Sequence, residues 1–284
     1  MIVDCHTHLW APEHLGPPWT EEVRGPGGKA VDLTADPEAH ARGTDAADVA
    51  FAFAFRVPRG RVEVPNDYVA DYARANPGRI VGYLSVDPTE DGALEELDRA
   101  VHRLGLRGLK LGPTYQGYHP LDDRALAVCE RAEQLGLPTT FHMGTTPHPW
   151  AELEYARPIH LDEIARTFPT LRIVIAHVAH PWEPEALVVV RKHAHVYADV
   201  SALVYRPFQL YHTLRLAIDY AVDHKLLLGS DFPWLTTADS IAGLRRLAAT
   251  ENGVGPPLPE NCVEGIVYRE TLALLGLADA LTPA

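Results

Sequence analysis

The strongest constraint on this chain is a rhythm. Short apolar runs alternate with longer segments of helical period eight times along 284 residues. The runs cover 2–8, 49–56, 79–86, 106–111, 138–143, 171–177, 195–200 and 225–230. Helices are expected at 66–75, 90–104, 122–135, 158–168, 183–192, 207–222 and 237–249, with a polar one at 37–47 and a last stretch at 259–275. A loop rich in Pro and Gly is expected at 12–28. Strands that alternate with helices imply a parallel sheet, because each parallel connection must cross back over the sheet. Eight such units imply a closed (β/α)₈ TIM barrel. The expectation is one α/β domain spanning 1–284, with a C-terminal helical extension from about 259. A doubly wound sheet is the alternative, weakened because no Gly-rich phosphate fingerprint follows the first strand.

Charge narrows the partners. Twenty-five Lys and Arg against 38 Asp and Glu leave a formal charge of −13. Duplex nucleic acid and anionic membranes both call for clustered cations, so neither is an expected partner. Cys5, Cys129 and Cys262 are odd in number and far apart, which argues against a disulfide framework and for a reducing compartment. Met1 leads straight into a short strand, with no signal-like or membrane-spanning stretch. A cytoplasmic protein acting on a small molecule is expected, and a homo-oligomer stays open. Fifteen histidines need an explanation.

Barrels of this kind carry their active sites at the C-terminal ends of the strands. Here those ends read His6-Thr7-His8, Arg56, Lys110-Leu111-Gly112, His142-Met143-Gly144, His177 and Ser230-Asp231. Strict alternation puts His6 and His8 on one face of the first strand and Cys5 and Thr7 on the other. Three imidazoles and a carboxylate form a donor set suited to Zn²⁺, with Mn²⁺ as an alternative. Asp231 would serve as ligand and proton carrier. On the second strand, Phe rings packed outward would turn the Ala face and Arg56 into the cavity; otherwise Arg56 pairs with a structural carboxylate. Lys110 is either an ordinary strand-end lysine or a contributor to substrate or metal binding.

These segments together resemble the amidohydrolase superfamily. The residues that carry the resemblance are Asp4-Cys5-His6-Thr7-His8, Gly108-Leu109-Lys110-Leu111, Phe141-His142-Met143-Gly144, Ile175-Ala176-His177 and Gly229-Ser230-Asp231-Phe232-Pro233. They are most similar to the amidohydrolase-related branch that includes aminocarboxymuconate-semialdehyde decarboxylase. The resemblance implies His6, His8, His142 and Asp231 as ligands of one divalent metal, with His177 beside it as a catalytic group. It also implies that Lys110 stands where two-metal relatives carry a bridging lysine. Both hydrolysis by metal-activated water and nonoxidative decarboxylation occur on this scaffold. Hydrolysis of a small cyclic or aromatic anion is the first expectation and decarboxylation the second. A non-catalytic ligand-binding barrel is the third.

All five Trp residues fall after strands, in segments read as loops: Trp10, Trp19, Trp150, Trp182 and Trp234. Trp10 and Trp234, with Tyr115 from the fourth loop, are candidate pocket walls. Loop packing or a subunit interface would use the same residues. His119, His148 and His180 are further candidate contacts.

Overall fold

The computed structural model describes residues 1–21 and 30–281. Residues 22–28 of the expected loop and 282–284 of the expected domain lie outside the described residues. In chain order the strands are β1 (Val3–His8), β2 (Val49–Phe53), β3 (Phe55–Val57), β4 (Val62–Val64), β5 (Ile80–Ser85), β6 (Gly108–Leu111), β7 (Thr139–Phe141), β8 (Ile173–Ile175), β9 (Val196–Asp199) and β10 (Leu226–Leu227). The helices are α1 (Pro17–Thr20), α2 (Pro37–Gly43), α3 (Asn66–Ala75), α4 (Ala93–His102), α5 (Pro113–Gln116), α6 (Asp123–Gln134), α7 (His160–Thr167), α8 (Glu183–Lys192), α9 (Pro207–Asp219), α10 (Thr237–Ala248), α11 (Glu260–Val267) and α12 (Thr271–Leu274).

Eight strands pair in the order β1-β2-β5-β6-β7-β8-β9-β10, all parallel. Backbone hydrogen bonds then close the ring. Cys5 N–H donates to Leu228 O (3.0 Å), Asp231 N–H to His6 O (2.8 Å) and His8 N–H to Phe232 O (2.8 Å). The fold is a TIM barrel. Among the described residues no helix is long and apolar enough to cross a membrane.

Two strands depart from simple alternation. The second run splits into β2 and the antiparallel hairpin β3–β4. On β2 the parity is the reverse of the outward-Phe expectation. Phe51 and Phe53 fill the barrel interior with Val3, Cys5, Val81 and Tyr83, whereas Ala50 and Ala52 pack in the other core cluster, with helix residues such as Val69 and Ala70. Small residues outside let the helices approach, and large rings inside fill the lumen. The fit is tight: a Cβ on Gly108 would meet the Tyr83 ring at 2.3 Å.

On β1 the register shifts between Asp4 and Thr7. A bulge of this kind re-aims side chains beside active sites. Cys5 therefore packs inside with Val3, contrary to strict alternation, and His6 still reaches the interior, its ring 4.9 Å from Phe53. The expected last helix at 259–275 is two pieces, α11 and α12. Between them Arg269 donates to the carbonyls of Leu226 and Asp223. The turn sends Leu272, Leu275 and Leu277 into the interior cluster, where they plug the end of the barrel opposite the strand-end groups.

Candidate active site

The strand ends bring His6, His8 and Asp231 together. Asp231 Oδ1 lies 3.3 Å from His6 Nε2 and 3.2 Å from His8 Nε2. Ligands arranged tetrahedrally at about 2.0–2.1 Å from one zinc ion are about 3.3 Å apart. His142 stands beside them, its ring 5.2 Å from that of His177, and hydrogen-bonds the Thr145 backbone. His142 Nε2 is buried without a hydrogen-bond partner. Buried polar atoms are ordinarily paired, so an orphaned imidazole nitrogen beside His6, His8 and Asp231 fits a metal ligand set. Burial keeps His6, His8 and His142 neutral by pushing all three well below the usual imidazole range, the form a metal binds.

Backbone conformation serves this geometry. Asp231 has φ +62°, and His177, Val178 and Ala179 run at +56°, +45° and +52°. Left-handed backbone at non-glycine residues costs roughly 1–3 kcal/mol each and persists where surrounding structure enforces it. Closure of β1 against 228–232 is that enforcement at Asp231. Asp4 reinforces it from outside the barrel: its carboxylate accepts from Ser230 N–H (2.9 Å) and Thr237 Oγ1–H (2.5 Å). A Cβ on Gly229 would meet His6 Cβ at 2.9 Å and Ser201 Cβ at 3.0 Å.

Between the paired histidines, Thr7 points away from the cavity. Its hydroxyl donates to Phe51 O and accepts from His40 Nε2–H at 2.7 Å; Tyr72 then donates to His40 Nδ1 at 3.1 Å. Burial, followed by the charges of Arg79 and His8, pushes His40 down to about 3. Between pH 3 and about 6.5 the unfolded chain therefore binds the proton that the folded chain refuses, so stability falls as pH falls through that window. The slope is up to about 1.4 kcal/mol per pH unit. Urea titrations at pH 7 and pH 5 should show a smaller loss for His40→Gln than for the wild type, although the variant starts lower. Equal losses would remove His40 from the acid response.

Above these groups lies a cavity of about 220 Å³. Its walls include Trp19, Phe55, Tyr115, Tyr205 and Trp234, and its polar lining includes His8, Lys110, His142, His177, Arg206 and Asp231. Trp19, His148 and Trp150 stack in succession, with centroids 4.5 and 4.9 Å apart. Lys110 is fully buried, 3.2 Å from His6 Nε2 and over the Phe53 ring, and burial lowers it to about 8. Asp231 is the single carboxylate in the described lining, against Lys110 and Arg206.

A model of the amidohydrolase family matches residues 3–277, nearly the whole chain. The chain belongs to the amidohydrolase family. No protein of curated function matches it significantly. Solved structures with the same fold include an uncharacterized TIM-barrel protein from Bordetella bronchiseptica, 19% identical, with TM-score 0.76 and 98% of this chain and 99% of that one covered. A second is a probable 2-pyrone-4,6-dicarboxylic acid hydrolase from Acinetobacter baumannii with citric acid bound. It is 16% identical over 97% of this chain and 99% of that one, with TM-score 0.67. A third is a dihydroxybenzoic acid decarboxylase from a Polaromonas species with manganese and the inhibitor 2-nitroresorcinol. It is 15% identical over 97% of each chain, with TM-score 0.66.

This amidohydrolase corrects several residue assignments made from sequence. Arg56 does not enter the cavity. It sits on β3, one residue beyond inward-facing Phe55, and pairs with Glu63 and, at 2.7 Å, with Glu90. The inverted parity of β2 is the reason. Trp10 packs behind His8, 5.3 Å between rings, and donates its indole N–H to Leu33 O; it is not a lining residue. Trp182 sits against Arg157, and His119 against Tyr155 and His160, so neither lines the cavity. Trp19 belongs to the short helix α1 rather than to a loop. Tyr115 and Trp234 do line the cavity, as do His148 and His180.

Two residues escaped the sequence reading. Asp199, at the end of β9, lies 2.9 Å from His6 Nδ1. Tyr-Ala-Asp-Val-Ser places a carboxylate at the seventh strand end. Arg206 follows on the next loop. Its guanidinium lies 4.5 Å from the Tyr205 ring and donates to Ala202 O, with no ion pair among the described residues.

Proposed function

We propose that this amidohydrolase is a divalent-metal-dependent decarboxylase of a small aromatic acid. The observation that carries this reading is the cavity, whose aromatic walls meet a polar floor with two cations and one carboxylate. A flat ring bearing an acid group suits both parts. The aromatic ligand of the dihydroxybenzoic acid decarboxylase neighbour supports the same reading. The sequence ranked hydrolysis first; Arg206 suits an anion under either reaction, and the dihydroxybenzoic acid decarboxylase neighbour moves decarboxylation ahead.

His6, His8, His142 and Asp231 would hold the ion. A bound Zn²⁺ or Mn²⁺ would supply Lewis-acid polarisation of the substrate's oxygens. The chain's own groups do the rest. Arg206 pairs with the anionic substituent through its planar fork. Trp19 and Trp234 hold the ring and exclude water. Loss of CO₂ breaks the ring–carboxyl bond, leaves its electron pair on the ring carbon, and requires one proton there. Asp231 is placed to deliver it from the cavity floor; in the metal-free chain burial pushes its carboxyl up to about 6, against the lowering charge of Lys110. Burial pushes His177 down to about 4, so it is neutral at pH 7 and can exchange protons beside Asp231. Lys110 adds positive charge under the site; a second ion at Lys110 is not part of the proposal.

Hydrolysis is the second reading, supported by the pyrone-dicarboxylic acid hydrolase neighbour and by the ability of Asp231 to take a proton from water. We extend the proposal to residues 1–284 as one catalytic domain in a cytoplasmic setting, in keeping with three buried free cysteines. Metal-loaded protein incubated with hydroxybenzoates should release CO₂. Acid release from cyclic esters without CO₂ would favour hydrolysis instead, and neither product with Zn²⁺ or Mn²⁺ would leave a ligand-binding barrel.

A further inference from the structure

The end of β9 carries a buried network that the proposed chemistry does not use. Asp199 is fully buried. Its Oδ2 lies 2.9 Å from His6 Nδ1. Its Oδ1 accepts from the backbone N–H of His177 (3.1 Å), the backbone N–H of Ser201 (3.0 Å) and the Ser201 hydroxyl. Ser201 Oγ lies 2.8 Å from His177 Nδ1, and Ser201 O lies 3.3 Å from the same nitrogen.

Hydrogen counting fixes the protons. A carboxylate accepts and does not donate, so the hydrogen between Asp199 and Ser201 belongs to Ser201. A hydroxyl has one hydrogen, so Ser201 Oγ can only accept, from His177 at 2.8 Å and more distantly from His6 Nδ1 at 3.3 Å. The Ser201 carbonyl also only accepts. Both contacts therefore place the His177 proton on Nδ1. By the same rule His6 carries its proton on Nδ1, toward Asp199. Each imidazole is left with a lone pair on Nε2; for His6 that atom faces Asp231.

We propose that Asp199 and Ser201 are positioning residues that fix the tautomers of His6 and His177 together. One carboxylate holds a ligand imidazole directly and the cavity imidazole through a serine. Partners of this kind orient ligating histidines and raise their basicity, and losing one typically costs 10–100-fold in metal affinity or activity. The backbone bond from His177 to Asp199 adds a structural purpose, since it anchors the first of the three left-handed residues.

The metal part of this inference rests on the ligand set proposed above; the tautomer part stands without it. Nitrogen-15 spectra of histidine-labelled, metal-free wild-type protein should show His6 and His177 protonated on Nδ1. Either ring protonated on Nε2 would overturn the network. Chelator competition with Mn²⁺ should show Asp199→Asn binding 10–100-fold more weakly than the wild type. Equal affinity, in a variant whose circular dichroism is unchanged, would overturn the role of Asp199 at His6. Ser201→Ala should lower kcat about tenfold or more while KM and Mn²⁺ affinity stay within about threefold, and Ser201→Thr should restore most of it. A fall in Mn²⁺ affinity equal to that of Asp199→Asn would overturn the separate role of Ser201. A wild type that binds no metal would defeat the ligand set, and the tautomers would still judge the network.

Discussion

Asp231→Asn is expected to lower turnover by about 10³-fold or more, which corresponds to about 4 kcal/mol of transition-state stabilisation. Asn keeps the size of the side chain and loses both the charge and the proton. The position is doubly committed: its Oδ1 is shared between His6 and His8, and burial pushes its carboxyl up to about 6 in the metal-free chain. Burial disfavours the charged form, so removing the charge should leave the metal-free fold at least as stable as the wild type. Steady-state kinetics beside a urea titration separates the two effects. Residual turnover within tenfold of the wild type would take Asp231 out of the chemistry. A large loss of stability would mean the side chain is a structural keystone instead.

Arg206→Met should raise KM by roughly 10- to 150-fold, because a hydrogen bond to a charged group contributes about 1.5–3 kcal/mol. Met retains much of the apolar stem and removes the planar fork. Arg56→Met is the matched control. Arg56 is occupied by Glu63 and Glu90 at the partly exposed base of the hairpin, so KM should stay within about twofold and stability should fall by no more than about 1 kcal/mol. Kinetics with the best substrate from the hydroxybenzoate panel decides between them. If Arg56→Met raises KM and Arg206→Met does not, the assignment of the anion-binding cation is reversed.

The contrast between these two arginines shows what the sequence could reveal. The barrel was legible because hydrophobic periodicity is repeated eight times, and each unit corroborates the next. His6, His8 and Asp231 were legible because strand-end position is itself a chemical address in this fold. Parity within a strand was not, since Phe-Ala-Phe-Ala permits either face inward and lumen packing decides. On β2 the rings face Tyr83, whose own ring leaves no space for a Cβ at Gly108, and that choice sends Arg56 out. The bulge in β1 was invisible for a similar reason, because it depends on pairing with β2. Trp10 followed the right loop but turned its indole N–H to Leu33 O, a partner 23 residues away. Asp199 was missed because its meaning comes from His6, 193 positions earlier in the chain.

The central claim is that His6, His8, His142 and Asp231 form one divalent-metal site at the floor of the cavity. Metal content after reconstitution of the stripped protein with Mn²⁺ or Zn²⁺ tests it most directly. The wild type should retain one ion per chain, and His142→Ala and Asp231→Ala should each retain well under one after the same dialysis. Full retention by both variants, or no retention by the wild type, would contradict the account.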